Sequence, residues 1–108
     1  MYQLADFLAN DKKLSCTYSD ESYLNFSKVS EIIYKQKQPI LIAAHRVGYY
    51  FGHMFVIVGY ADNLDTQVYH VWNPWYNYTQ IVDASTRHIP TETTEDYIWN
   101  VGYLYNIH

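Results

Sequence analysis

The spacing of apolar residues changes near position 40. Before it, the pattern is helical. Tyr2, Leu4, Ala5, Phe7 and Leu8 predict a short helix over residues 2–9, followed by a polar loop over residues 10–21. Ser27 is placed to cap a second helix, because its hydroxyl can accept from an unpaired N–H of the first turn. Glu31 adds negative character near that start. Val29, Ile32 and Ile33 then fall on one face at helical spacing. Pro39 stops the helix, since it disfavours helical backbone in the residue before it. After position 40 the runs become short and apolar at both parities, rich in β-branched residues and bounded by turn signals. They predict strands over residues 40–44, 54–60, 67–73, 79–82 and 96–105. Helices first and strands after imply an α+β fold whose antiparallel sheet has about five strands.

Length and composition narrow the picture. A chain of 108 residues is one domain, residues 1–108, and supports one core rather than two large lobes with a cleft between them. Aromatics make up 19% of the chain, with 13 Tyr and 3 Trp. Such residues suit strands, and they suit surfaces that meet another protein. The formal net charge is −4, and the 7 Lys and Arg are dispersed. Displacing counterions from phosphates needs clustered cations, so nucleic acid is not an expected partner. No stretch reaches the length of a membrane helix, so no membrane partner is expected. The segment Met1-Tyr2-Gln3-Leu4-Ala5-Asp6 has no basic start and no long apolar run, so no signal peptide is read here. Either the protein stays inside the cell, or a leader was lost with an upstream segment. The single Cys16 excludes an intrachain disulfide and leaves the redox compartment open.

The chemistry concentrates in the hairpin from His53 to Asn73. With a five-residue loop over residues 61–65, Tyr60 opposes Thr66 and His53 lies directly opposite Asn73. Opposed residues share a face, with Cβ atoms about 4.5–5.5 Å apart. An imidazole that takes a proton from a thiol needs a third group to fix its orientation and tautomer, and a carboxamide does this without adding charge. Trp75 follows closely enough to cover the His–Asn hydrogen bond from water. Taken singly, His53 reads as a strand-start histidine, Asn73 as a turn opener before Pro74, and Trp75 as a core residue. Their combination gives the sharper reading. On the same register His70 opposes Val56 and projects from the other face than His53, so the two do not share a metal ion. No metal site and no cofactor are expected. The aromatic groups Tyr49-Tyr50-Phe51 and Trp72-Trp75-Tyr76-Tyr78 are either core or the lining of an apolar substrate pocket beside His53.

Gly52-His53-Met54-Phe55-Val56-Ile57-Val58-Gly59-Tyr60 resembles the histidine strand of papain-like cysteine peptidases. Trp72-Asn73-Pro74-Trp75 resembles their asparagine motif. Within that family the chain resembles the staphopains, secreted bacterial cysteine peptidases, and the similarity continues through Ile89-Pro90 and Asp96-Tyr97-Ile98-Trp99. The resemblance implies a papain-like half-barrel with one or two helices, His53 as general base, Asn73 as its orienter and a polypeptide substrate. If the chain derives from a secreted peptidase of this group, the resemblance implies an extracellular location; the sequence by itself leaves the location open. The family's nucleophilic Cys opens a long helix in an N-terminal lobe, a few residues after an oxyanion Gln. Cys16 does not match: residues 10–15 contain no Gln, and Thr17-Tyr18-Ser19-Asp20 is a poor helix opener. Cys16 is therefore read as a structural thiol, and the nucleophile lobe as absent from this chain. The expected function is that of the C-terminal, histidine-bearing half of a thiol endopeptidase, inactive unless a nucleophile lobe is supplied by upstream chain or a partner. The alternatives are a catalytically dead remnant serving as a binding module and a minimal enzyme using Cys16. An apolar lobe-facing side implies self-association, including a homodimer.

Overall fold

The computed structural model describes residues 1–49, 52–63, 65–91 and 96–108. Two helices precede most of an antiparallel sheet. Helix α1 (Tyr2–Asp11) has no side-chain cap and buries only Ala5. The Asp20 carboxylate instead holds its start, accepting from the Met1 amino group and, at 3.1 Å, from the Tyr2 N–H. Helix α2 (Phe26–Glu31) is capped by Asn25 rather than by Ser27, the Asn25 Oδ1 accepting from the Lys28 N–H at 2.8 Å. Leu24 and Val29 occupy the two staple positions around that cap, and both belong to the same packed cluster. The chain then widens into a π-helical turn (Ile32–Gln36), which ends at Lys37 with φ +56°.

Among the described residues, seven strands follow or flank these helices: β1 (Thr17–Ser19), β2 (Ile40–Arg46), β3 (Gly52–Asp62), β4 (Gln67–Asn73), β5 (Tyr78–Asp83), β6 (His88–Pro90) and β7 (Asp96–Tyr105). The spatial order is β1-β7-β2-β3-β4-β5, with β6 on β7. Among the described residues every strand pairing is antiparallel. The five long strands are those expected from the apolar runs. The two further strands have three residues each, too few to show a period. The α+β half-barrel implied by the resemblance is present.

One face of the sheet carries the core. Ile40, Ile42 and Ala44 of β2 sit opposite Ile57, Phe55 and His53 of β3. Tyr69, Val71 and Val82 extend this face toward β5, and Tyr97 and Trp99 toward β7. Val29 and Ile32, both 0% exposed, cover it from the helical layer. Burying a side chain of this size contributes about 1.5–3 kcal/mol, so these residues decide which face turns inward. Two irregularities matter for the site. A bulge in β3 falls between Ile57 and Gly59, and another in β7 accompanies the Trp99–Gly102 segment. The second lets the Trp99 indole N–H donate to the Gly102 carbonyl at 2.9 Å.

Candidate functional site

The β3–β4 register differs from the expected one. Strand β3 runs on to Asp62, which pairs with Gln67, and Tyr60 pairs with Tyr69 rather than Thr66. Beyond the bulge, Val56 pairs with Trp72, so Asn73 lies one step past that pair, across from Phe55 rather than His53. The offset is two residues, which preserves the face. His53 therefore meets Asn73 on the diagonal, a separation that long side chains span. The His53 Nε2 lies 3.2 Å from the Asn73 Oδ1. His70 pairs with Gly59 and not with Val56. It alternates with the inward-facing Tyr69 and Val71, and so stands on the opposite face from Asn73.

The turn after β4 supplies the rest. Asn77 N–H donates to the Asn73 carbonyl at 2.9 Å, and Asn77 takes φ +52°. This closes a tight turn through Pro74, whose ring presets the backbone for the first corner. The Trp75 N–H then donates to the Asn73 Oδ1 at 3.0 Å. That bond fixes which end of the carboxamide is oxygen. An amide oxygen only accepts, so the imidazole Nε2 facing it carries a proton and donates. In the neutral ring the lone pair then belongs to Nδ1.

The same turn folds the Trp75 ring onto the imidazole, with centroids 3.2 Å apart and planes at 19°. Phe55 meets the imidazole edge-on at 4.7 Å, and Tyr97 lies 6.1 Å away. Asn73 is fully buried, whereas the outer face of Trp75 is in solvent. The His–Asn hydrogen bond thus runs under an aromatic roof, where a lower dielectric strengthens it. The packing by Phe55 and Tyr97 was not part of the sequence reading. The inward parity of Phe55 with Ile57, and of Tyr97 with Trp99, is the signal that points to it.

A cleft of about 440 Å³ opens beside His53, lined by Met1, Ala43, Ala44, Gly52, Met54 and Val101. Its walls are mainly apolar side chains. A wider groove of about 800 Å³ lies at the turn end of β3 and β4, around Asp62, Gln67, Asp83 and Arg87, and does not include His53.

Cys16 does not join the site. It precedes β1, and β7 and β2 stand between β1 and β3. Three inter-strand steps of about 4.8 Å put β1 roughly 14 Å from β3. Partial burial pushes the Cys16 thiol above its ordinary range, away from thiolate. Nor do the other histidines cluster. His45 Nδ1 meets Asn100 Oδ1 at 2.7 Å, His88 faces Asp96 at 3.7 Å, and His108 Nδ1 meets the Asn106 carbonyl at 2.8 Å. Among the described residues no group of three His, Cys, Asp or Glu is placed to hold a metal ion. Of the expected aromatic lining, Tyr50 and Phe51 lie outside the described residues. Tyr49 stacks under the Arg46 guanidinium at 4.0 Å.

The family model described as staphopain peptidase C47 matches residues 12–105 of the chain. That span takes in α2 and all seven strands. None of the curated proteins matches the chain.

Proposed function

The chain belongs to the staphopain family of cysteine peptidases, and from that premise we propose that it supplies the general base and its orienter to a thiol endopeptidase. His53 is the base, Asn73 the orienter, and Trp75 the cover of their hydrogen bond. The observation that carries this reading is the double use of the Asn73 Oδ1, which accepts from the Trp75 N–H at 3.0 Å and faces His53 Nε2 at 3.2 Å.

The steps follow from that geometry. Nδ1 takes the proton of a cysteine thiol, giving a thiolate–imidazolium pair. The thiolate attacks the peptide carbonyl carbon, and the carbonyl electrons move to oxygen. As the tetrahedral species collapses, the imidazolium returns its proton from Nδ1 to the leaving amine, and a thioester remains. His53 then takes a proton from water, whose oxygen attacks the thioester, and the thiol is released with its proton restored. Through both halves Asn73 holds the ring by the nitrogen that does not exchange protons. Its neutrality leaves the imidazolium acidic enough to give its proton up. The cleft beside His53 receives a substrate side chain.

The thiol comes from outside residues 1–108, on a lobe docked so that its sulfur reaches Nδ1. This assignment follows from the place of Cys16, three strands from His53. A chimera tests it: residues 1–108 grafted onto the thiol-bearing lobe of another staphopain, assayed for casein hydrolysis and for labelling by a thiol-directed epoxide. The expected outcome is an active, labelled chimera that loses both properties with His53→Ala, while the chain alone takes no label on Cys16. A folded chimera that is inert and unlabelled overturns the reading in favour of a non-catalytic binding module. Labelling of Cys16 in the chain alone overturns it in favour of a self-contained enzyme.

A further inference from the structure

Strand β5 brings two more polar side chains to the carboxamide that orients His53. Tyr78 is the direct partner of Asn73 across β4 and β5, and Gln80 is the partner of Val71. Directly paired residues share a face, so Asn73, Tyr78 and Gln80 all project to the core side, Gln80 diagonal to Asn73. The alternation along β5 agrees: Thr79 and Ile81 are exposed, while Tyr78 and Gln80 are half-buried and Val82 is buried. The Asn73 Nδ2, the Tyr78 hydroxyl and the Gln80 Nε2 are each enclosed, and none has a hydrogen-bond partner among the described residues.

Buried polar atoms seldom go unpaired, and three on one patch of sheet call for a common partner. Their chemistry is complementary to water. Two of the groups are amide N–H donors, which fill the two lone pairs of a water oxygen. The third, the phenol oxygen, accepts one of its hydrogens. An internal water is typically held by about three such partners.

We propose that Tyr78 and Gln80 are positioning residues for His53, acting through one internal water bound to the Asn73 Nδ2. This extends the reading of His53 as base. The Trp75 N–H secures the oxygen end of the Asn73 carboxamide, and the bridged water secures the nitrogen end. A half-turn of the amide would present Nδ2 to the imidazole, force Nε2 to accept, and move the ring proton to Nδ1. That tautomer has no lone pair at Nδ1 to take a thiol proton. Clamping both ends keeps the productive tautomer in place.

The test uses the ¹⁵N-labelled chain and needs no peptidase activity, so it is decided separately from the chimera. In the unaltered chain, the Asn73 side-chain NH₂ should show a direct cross-peak to a long-lived water. Gln80→Met keeps length and volume but removes the donor, and Tyr78→Phe removes the acceptor. Each should raise the minor His53 tautomer several-fold in long-range ¹⁵N–¹H spectra, while Gln80→Glu, which can accept from the same water, should restore most of the original ratio. Absence of the water cross-peak overturns the proposal even if a variant fails to fold. A cross-peak with an unchanged tautomer ratio in a folded Gln80→Met chain overturns the positioning role.

Discussion

Replacing Gly52 by alanine tests whether the close approach of β3 to β2 holds the imidazole where Asn73 can reach it. Gly52 pairs with His45, and an added Cβ would lie 2.4 Å from the Ala44 carbonyl oxygen and 3.3 Å from its carbon. Ordinary contact begins at 3.4 Å, so something must give by about 1 Å. The obstacle is backbone inside a paired sheet, with no flexible tip to swing aside. Overpacking of this kind costs about 1–3 kcal/mol. At about 4–8 °C per kcal/mol for a small domain, the Tm should fall by roughly 4–24 °C. The effect should reach the site, because His53 is the next residue. Its 3.2 Å contact to Asn73 already sits at the long end of the N–H···O range, so a shift of about 1 Å breaks it. Thermal melts by circular dichroism give the first quantity. The His53 ring ¹⁵N shifts, which report the hydrogen bond, give the second. A Tm lowered by less than about 2 °C, or a destabilised chain with unmoved His53 shifts, would refute the argument that this contact positions the imidazole.

Two further perturbations address the scaffold. Tyr69 is nearly fully buried, with no hydrogen-bond partner for its hydroxyl among the described residues, and its burial, opposed in part by the Arg87 cation, pushes its pKa from 10.0 up to about 12. The folded chain therefore holds this proton more tightly than the unfolded one. The contribution is complete below pH 10 and is lost as pH rises through about 12, a decline of roughly 2–3 kcal/mol. Urea unfolding at about pH 9 and about pH 11.5 should show a smaller decline for Tyr69→Phe than for the unaltered chain, and equal slopes would contradict the assignment. Asn25→Ala should cost about 0.5–2 kcal/mol by removing the cap of α2, with Asn25→Ser largely neutral. If Ser27→Ala proved the more damaging change in denaturant melts, the cap would have been placed at the wrong residue.

The fold was legible where apolar runs were long. Ile40–Ala44, Met54–Tyr60 and Gln67–Asn73 declare strands because their inward residues alternate over several steps. β1 and β6 were not, because three residues carry no period and each of these strands is placed by its pairing to β7. The α2 cap was misread because Asn25 and Ser27 are both good cap residues. The choice falls to Leu24 and Phe26, whose packing against the core sets where the chain enters the helix. The shared face of His53 and Asn73 was legible in the sequence, but their register was not. A bulge near Val58 and a β3 that runs two residues past Tyr60 shift the pairing by an even number of positions. An odd shift would have put His53 and Asn73 on opposite faces. The aromatic enclosure by Phe55 and Tyr97 depends on contacts across three strands, which spacing along one chain does not reveal.

The account rests on which nitrogen of His53 carries the proton. A long-range ¹⁵N–¹H spectrum of the unaltered chain above the imidazole's titration range answers this directly. The expected spectrum places the proton on Nε2, and Asn73→Ala abolishes the preference. A neutral ring protonated at Nδ1, or a preference that survives Asn73→Ala in a folded chain, would contradict the claim that this carboxamide readies His53 to accept a proton.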